Sequence, residues 1–107
     1  MHSGKGELEK LKEIKDNEKI VEIALISEND DLKADAINVL GEMGDSSFVR
    51  PLQILLNDQN ANVRRCAANA LGLIGDPAAI EPLIKSFNEN DLNARAAIIS
   101  SLVKIGE

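Results

Sequence analysis

The chain has 107 residues, of which 44% are hydrophobic and only two, Phe48 and Phe87, are aromatic. A core with so few aromatic side chains favours close packing of helices over a β-sandwich, and the length of the chain fits a single domain. The net charge of −6 and the lack of stacking aromatics argue against nucleic-acid binding. No apolar run reaches the roughly 18 residues of a membrane span. A lone cysteine, Cys66, fits a reducing compartment, so we predict a cytoplasmic protein that does not bind membranes.

The first part of the chain is predicted to be a tail followed by two short helices. Residues 1–6 are expected to be disordered. Apolar residues recur with helical spacing over residues 7–15, and Asp16-Asn17 breaks that pattern. A second helix is predicted over about residues 18–27. The two helices form a divergent first unit over about residues 7–28.

The rest of the chain follows a repeat with an offset of 31 residues. The segment at residues 40–45 has close relatives at residues 71–76 and 102–107, which start 31 residues apart (40, 71 and 102). A fixed period of this length indicates a solenoid in which each unit packs on its neighbours. We predict units over about residues 29–59 and 60–90 and a half unit over residues 91–107, all in one domain with the first unit.

Each unit is predicted to be a helix, a tight turn and a second helix. Gly44 and Gly75 lie where a first helix ends with a left-handed residue, and Asp45 and Asp76 follow as N-caps of the next helix. Prolines near the start of each second helix predict a loose or 3₁₀ opening turn. The apolar residues expected to face the core from these second helices are Leu52, Leu55, Leu56, Leu83 and Phe87.

The middle unit resembles a HEAT repeat, specifically that of the phycobilisome-lyase-like subclass. The residues that carry the resemblance are Asn62-Val63-Arg64-x-x-Ala67-Ala68-x-Ala70-Leu71-Gly72-x-Ile74-Gly75-Asp76-Pro77-x-Ala79-Ile80-x-Pro82-Leu83-Ile84. The resemblance implies an all-α superhelix of about three helix pairs, with the second helices lining a concave face. It also implies a ladder in which the turn aspartates Asp45 and Asp76 pair with the first-helix bases Lys33, Arg64 and Arg95.

Three short motifs resemble reactive or metal-binding sites, but each fits a structural role better. Asp58-x-Asn60-x-Asn62 begins like a calcium loop, but it lacks the glycine and the final glutamate of such a loop and fits a capping turn between units. Gly72-x-x-Gly75 ends a helix instead of opening one, so it is not a phosphate loop. Cys66 has no histidine near it in sequence to act as a base. We therefore predict no catalytic residue, cofactor or metal.

Two surfaces are candidates for binding. An apolar residue recurs on each second helix among polar neighbours, as a protein-binding groove requires, although these isoleucines could instead fill gaps between repeats. The residues of this candidate groove are Glu22, Ile23, Arg50, Gln53, Ile54, Glu81, Ile84 and Lys85. In the last helix, Ile98, Ile99 and Val103 replace the Ala67, Ala68 and Gly72 of the unit before, and this bulk could seat a partner or a second copy of the chain.

The sequence predicts a non-catalytic scaffold that binds another protein through its concave face, either by itself or as a piece of a longer repeat protein. The alternative is a bilin-lyase-like or other enzyme-assisting protein, which the resemblance to the phycobilisome-lyase-like subclass implies. A third reading, nucleic-acid binding, requires a basic groove that an acidic chain does not favour.

Overall fold

The computed structural model describes residues 4–13 and 16–107 and consists of helices and turns, with no strand in those ranges. This confirms the predicted all-α class. The helices are α1 (Gly4–Glu13), α2 (Asn17–Ile26), α3 (Asp30–Met43), α4 (Val49–Leu55), α5 (Ala61–Ile74), α6 (Ile80–Lys85) and α7 (Leu92–Gly106). Within these ranges, no helix combines the length and the apolar character needed to cross a bilayer.

Helix α1 begins earlier than the sequence predicted. It starts at Gly4, so residues 4–6 are helical and only residues 1–3 of the expected tail lie outside the described residues. Glu7 lies in its first turn, where a negative charge favours the helix dipole. Leu8 is fully buried and anchors α1, which packs on α2 and α3. Residues 14 and 15, predicted to continue this helix, also lie outside the described residues.

The turns between paired helices have the predicted geometry. Gly44 and Gly75 adopt positive φ values of 70° and 75°, which a residue without a Cβ atom accepts at low cost. The carboxylates of Asp45 and Asp76 each accept a hydrogen bond of 2.9 Å from the backbone N–H two residues later. A 3₁₀ turn then precedes each second helix, at Ser46–Phe48 before α4 and at Pro77–Ala79 before α6, as expected.

The first helices of successive units form the tightest layer of the fold. Helix α3 packs on α5, and α5 packs on α7. A Cβ atom at Gly41 would lie 2.9 Å from the Cα atom of Ala70, and one at Gly72 would lie 2.4 Å from the Oγ atom of Ser101. The buried Ser101 hydroxyl donates a 2.6 Å hydrogen bond to the carbonyl oxygen of Ala68. Small residues therefore set how closely these helices approach each other.

The second helices complete the core, with one departure from prediction. Leu52, Leu55, Leu56 and Leu83 are buried, whereas Phe87 is 47% exposed. Phe87 lies two residues beyond Lys85, the last residue of α6, and no second helix follows in the described chain to cover it. The residue one period earlier, Leu56, is covered because the C-terminal part of α6 lies beside it.

Candidate protein-binding surface

The candidate groove residues lie on the outward side of the second helices α2, α4 and α6, which we call the second-helix face. Seven of the eight residues predicted for this surface are exposed there, and the eighth, Ile23, is only partly exposed. The seven are Glu22, Arg50, Gln53, Ile54, Glu81, Ile84 and Lys85. The face is therefore polar and charged over most of its area, with isolated apolar side chains.

The apolar side chains of this face differ in role. Ile23 packs partly buried against the core, which is the gap-filling role considered as the alternative. Ile54 and Ile84 are 63% and 55% exposed, so neither of them fills a gap between units. Ile26, at the end of α2, is also largely exposed. The apolar row of the face is thus Ile26, Ile54 and Ile84, in place of the predicted row that began with Ile23.

Grooves separate neighbouring second helices. Between α2 and α4, Leu25 and Ile54 line a depression together with the turn that follows α4. Between α4 and α6, Lys85 lines each of three adjoining depressions, and Gln53 faces it from α4 in two of them. Asn57 lies beside the grooves on both sides of α4. Lys85, Gln53 and Asn57 place one charge and two amides near the exposed isoleucines, so this face combines polar and apolar side chains.

The polar ladder of the fold has different partners from those predicted. Lys33 Nζ donates a 2.5 Å hydrogen bond to Asp58 Oδ1. Arg64 forms a two-pronged ion pair with Glu89, with Nε–Oε1 and Nη2–Oε2 distances of 2.7 and 3.0 Å. Each pair joins the start of a first helix to the turn that ends the same unit. The predicted pairing of these bases with Asp45 and Asp76 is thereby corrected.

The distance along a first helix explains the correction. Lys33 and Arg64 lie in the first turns of α3 and α5, whereas Asp45 and Asp76 follow the C-terminal ends of these helices. Lys33 lies ten residues before Met43, the last residue of α3, which corresponds to about 15 Å of helix, well beyond the reach of an ion pair with Asp45. The turn aspartates instead cap the 3₁₀ turns, and these hydrogen bonds lower the pKa of both carboxyls.

The ladder also links one unit to the next. Arg64 Nη1 donates to the backbone carbonyl oxygen of Asp58 at 2.8 Å, so the base of one unit holds the last turn of the unit before it. Burial alone raises the pKa of the Asp58 carboxyl, but the hydrogen bonds from Lys33 and from the Asn60 N–H outweigh it, and the pKa is lowered. The Arg64 hydrogen bond is the largest cause of the lowered pKa of Glu89. Both carboxylates are thus held in the charged form.

Arg95 continues the series of bases in a different way. Its guanidinium carbon lies 5.8 Å from the centre of the Phe87 ring, a cation–π distance. The predicted pairing of Arg95 with a turn aspartate is therefore replaced by a contact with an exposed ring beside α6. This contact joins the turn after α6 to the last helix.

The motifs that resemble reactive or metal-binding sites have structural roles in the fold. Asn60 caps α5 through its side-chain oxygen, and Asp58 accepts a hydrogen bond from the Asn60 N–H, so the calcium-like stretch is the predicted capping turn. Cys66 is buried. Among the residues that the structure describes, no group of three or more histidine, cysteine, aspartate or glutamate side chains could hold a metal ion.

Comparison with known protein families matches this architecture to one of them. A family model described as HEAT repeats matches residues 17–103, which include α2 to α6 and most of α7. The match includes the ladder bases, the capped turns and the whole second-helix face. A comparison with curated proteins gives no match.

Proposed function

The chain belongs to the HEAT-repeat family, and we propose that it is a non-catalytic scaffold that binds another protein through its second-helix face. The observation that carries the proposal is the exposure of Ile54 and Ile84, at 63% and 55%, on neighbouring helices that border a groove. A row of exposed apolar side chains across neighbouring helices, with polar residues around it, is the kind of surface on which a protein partner can bind. Gln53, Asn57 and Lys85 supply the hydrogen bonds and the charge that would orient a partner.

The proposal favours a folded or extended protein segment over a small molecule. The depressions on this face are open and shallow, and polar side chains such as Asn57, Ser86 and Asn88 form much of their lining. A small-molecule site usually encloses its ligand within mostly apolar walls. A row of separate isoleucines between open grooves suits a partner that contacts several units at once.

The test is an affinity capture from cells of the source with two matched variants. Ile54→Asp combined with Ile84→Asp removes both apolar contacts of the second-helix face. Leu73→Asp is the control, because Leu73 is exposed to a similar degree (54%) but lies on a first helix, α5. We expect the first variant to lose proteins that the wild type and the control both retain, with unchanged circular dichroism. Retention of every captured protein by the double variant would show that this face is not the binding surface.

The finer assignment to the phycobilisome-lyase-like subclass is part of this proposal. The motif over residues 62–84 supports it, whereas the match to a family model supports the HEAT-repeat family alone. We do not extend the assignment to bilin chemistry, because Phe87 is the only aromatic side chain exposed in the described residues. Titration with a bilin checks this point: a saturable shift in the visible absorbance of the bilin would favour the bilin-lyase-like alternative over the scaffold. The lone buried cysteine agrees with the predicted cytoplasmic location.

A further inference from the structure

The groove between α2 and α4 combines apolar and polar side chains, and described helices border it on both sides. Leu25 of α2 and the largely exposed Ile54 of α4 form its apolar part. Asn57 and Gln59, in the turn after α4, and Asp30, at the start of α3, belong to its polar part. A ligand in this depression, which we call the α2–α4 groove, would contact both kinds of group at once.

Asp30 gives the α2–α4 groove a negative charge that nothing in the groove balances. Its carboxylate accepts a 3.1 Å hydrogen bond from Asn60 Nδ2, a neutral donor. The other two charged residues in the lining, Lys33 and Asp58, form an ion pair with each other. No basic side chain in the part of the chain that the structure describes forms an ion pair with Asp30.

The start of α3 adds further negative charge beside the groove. Glu28 and Asp31 are exposed and lie within two residues of Asp30 in the sequence. Helices α3 and α5 both begin here, and each helix N-terminus carries a partial positive charge of about half an elementary charge. The three acids exceed these partial charges, so the groove attracts a cation.

The remaining charges near the groove are balanced in pairs. Arg64 lies at the turn after α4, where it donates a hydrogen bond to the carbonyl oxygen of Gln59, but its charge is paired with that of Glu89. On α2, Lys19 and Glu22 form an exposed ion pair with each other. These pairs leave the negative charge of the groove unchanged.

The groove between α4 and α6 is the equivalent depression one period later, and it lacks both features. The ladder pair recurs there, but Ala61 stands at the position of Asp30 and Lys85 at the position of Ile54. A base therefore replaces the exposed isoleucine, and the unpaired carboxylate is absent. Because the repeat itself does not require Asp30 and Ile54, these two residues are specific to the α2–α4 groove.

We propose that the α2–α4 groove binds a long basic side chain, arginine or lysine, of the partner protein. The methylene groups of such a side chain would pack on Leu25 and Ile54, while its charged end pairs with Asp30. The amide oxygens of Asn57 and Gln59 would accept further hydrogen bonds from it. An apolar side chain would leave Asp30 unpaired, and an acidic one would be repelled. The inference rests on the proposed function, because the groove is part of the second-helix face.

The test compares two small compounds by NMR spectroscopy of the isotope-labelled whole chain. The probe is N-acetyl-arginine methylamide, and the control is N-acetyl-citrulline methylamide, which has nearly the same shape but no charge. We expect the arginine compound to shift the amide signals of Ile54 and Gln59 and to bind about two- to fivefold more tightly than the citrulline compound, because one exposed charge pair is formed. Added salt should reduce this difference.

Variants locate the site within the repeat. Asp30→Asn should remove the difference between the two compounds, whereas Asp31→Asn, at an exposed acid outside the lining, should retain most of it. Ala61→Asp combined with Lys85→Ile supplies the two features to the next groove and should add a shift at Asn90, the counterpart of Gln59. Equal binding of the two compounds, no shift at the groove, or a preference that survives Asp30→Asn contradicts the proposal.

A further variant separates this inference from the proposed function. Asp30→Lys reverses the charge of the groove without changing its apolar part, and circular dichroism checks that the fold is retained. In the affinity capture, proteins that are lost with Ile54→Asp and Ile84→Asp should also be lost with Asp30→Lys. Proteins that the double variant loses but Asp30→Lys retains would contradict a basic side chain in the groove, while the second-helix face would still be the binding surface.

Discussion

Arg64 and Glu89 are joined by two parallel hydrogen bonds, which fasten the first turn of α5 to the turn that ends the same unit. One unit earlier, the ion pair between Lys33 and Asp58 fastens the first turn of α3 to the turn that ends its unit. The two residues of each pair are 25 positions apart in the sequence. Glu89 also accepts a 2.8 Å hydrogen bond from the Asp91 N–H, so it organises the turn that leads into α7. These pairs close each helix pair at the end opposite to its Gly-Asp turn.

The first prediction concerns the stability that Glu89 contributes. Glu89→Gln keeps the shape of the side chain but leaves the Arg64 guanidinium, which is 19% exposed, beside a neutral amide. We expect the free energy of unfolding to fall by about 1–3 kcal/mol, because a partly buried charge loses its partner. Urea denaturation measures the change. The control Glu81→Gln, at an exposed position of α6, should stay within about 0.5 kcal/mol of wild type, and equal losses in both variants would contradict the role of the pair.

The second prediction is the pH dependence of the same pair. The Arg64 hydrogen bond holds the pKa of folded Glu89 below its ordinary value of 4.5. The stabilisation is therefore complete above that value and is lost as pH falls through the folded pKa, because the unfolded chain binds the proton first. In urea titrations at decreasing pH, the wild type should lose stability below pH 4.5 more steeply than Glu89→Gln. Parallel curves would mean that Glu89 does not titrate differently in the two states. Asp58, whose pKa is also lowered, should leave a residual slope in the variant.

The third prediction concerns the close approach of α5 and α7. In Gly72→Ala the new methyl group would lie 2.4 Å from Ser101 Oγ and 2.9 Å from Ser101 Cβ, so the helices must separate. We expect a loss of about 1–3 kcal/mol in unfolding free energy, which is typical of overpacking. Gly106→Ala is the matched control, because nothing lies within 4 Å of the added atom. It should be neutral or slightly stabilising.

A double-mutant cycle ties this loss to the contact itself. Ser101→Gly removes the two nearest atoms, so the combination with Gly72→Ala should be less destabilised than the sum of the single changes. If the losses in unfolding free energy of the two single variants simply add up in the double variant, the destabilisation by Gly72→Ala does not come from its contact with Ser101.

The turns of this fold could be predicted from sequence because their chemistry is local. Gly44 and Gly75 adopt a left-handed conformation, Asp45 and Asp76 cap the residues that follow, and the nearby prolines favour a 3₁₀ opening turn. Each of these preferences acts over a few neighbouring residues. The period of 31 then placed the remaining helices without any information about long-range contacts.

The partners of the ladder bases were predicted wrongly, because the prediction did not consider at which end of the helix pair each charged residue lies. Resemblance to a family supplied the bases and the turn aspartates but placed them together, although a whole first helix separates them. The correct signal was present in the sequence, because Asp58 and Glu89 are 31 residues apart, as are Lys33 and Arg64. Basic and acidic residues that recur with the same period of 31 indicate an ion pair that is repeated in each unit.

The apolar row of the second-helix face was predicted only in part, because it does not follow the period. Ile54 aligns with Ile23, but Ile84 aligns with Gln53, so the exposed isoleucines occupy different positions on successive helices. Whether each is buried depends on its neighbours: Ile23 packs against the core, whereas Ile26, three residues later, is exposed. Sequence alone could place these side chains near the surface but could not determine their exposure.

The last prediction concerns the thiol of Cys66. Its side chain is almost completely buried, and burial raises its pKa, although the nearby Arg65 guanidinium partly offsets this effect. A thiol that is both protonated and covered reacts with disulfide reagents only when the structure opens. We expect the native protein to react with Ellman's reagent at least ~100-fold more slowly than the protein in urea. Ser100→Cys in a Cys66→Ala background provides the exposed control on α7 and should react rapidly without denaturant. Rapid reaction of native Cys66 would contradict its burial in the core.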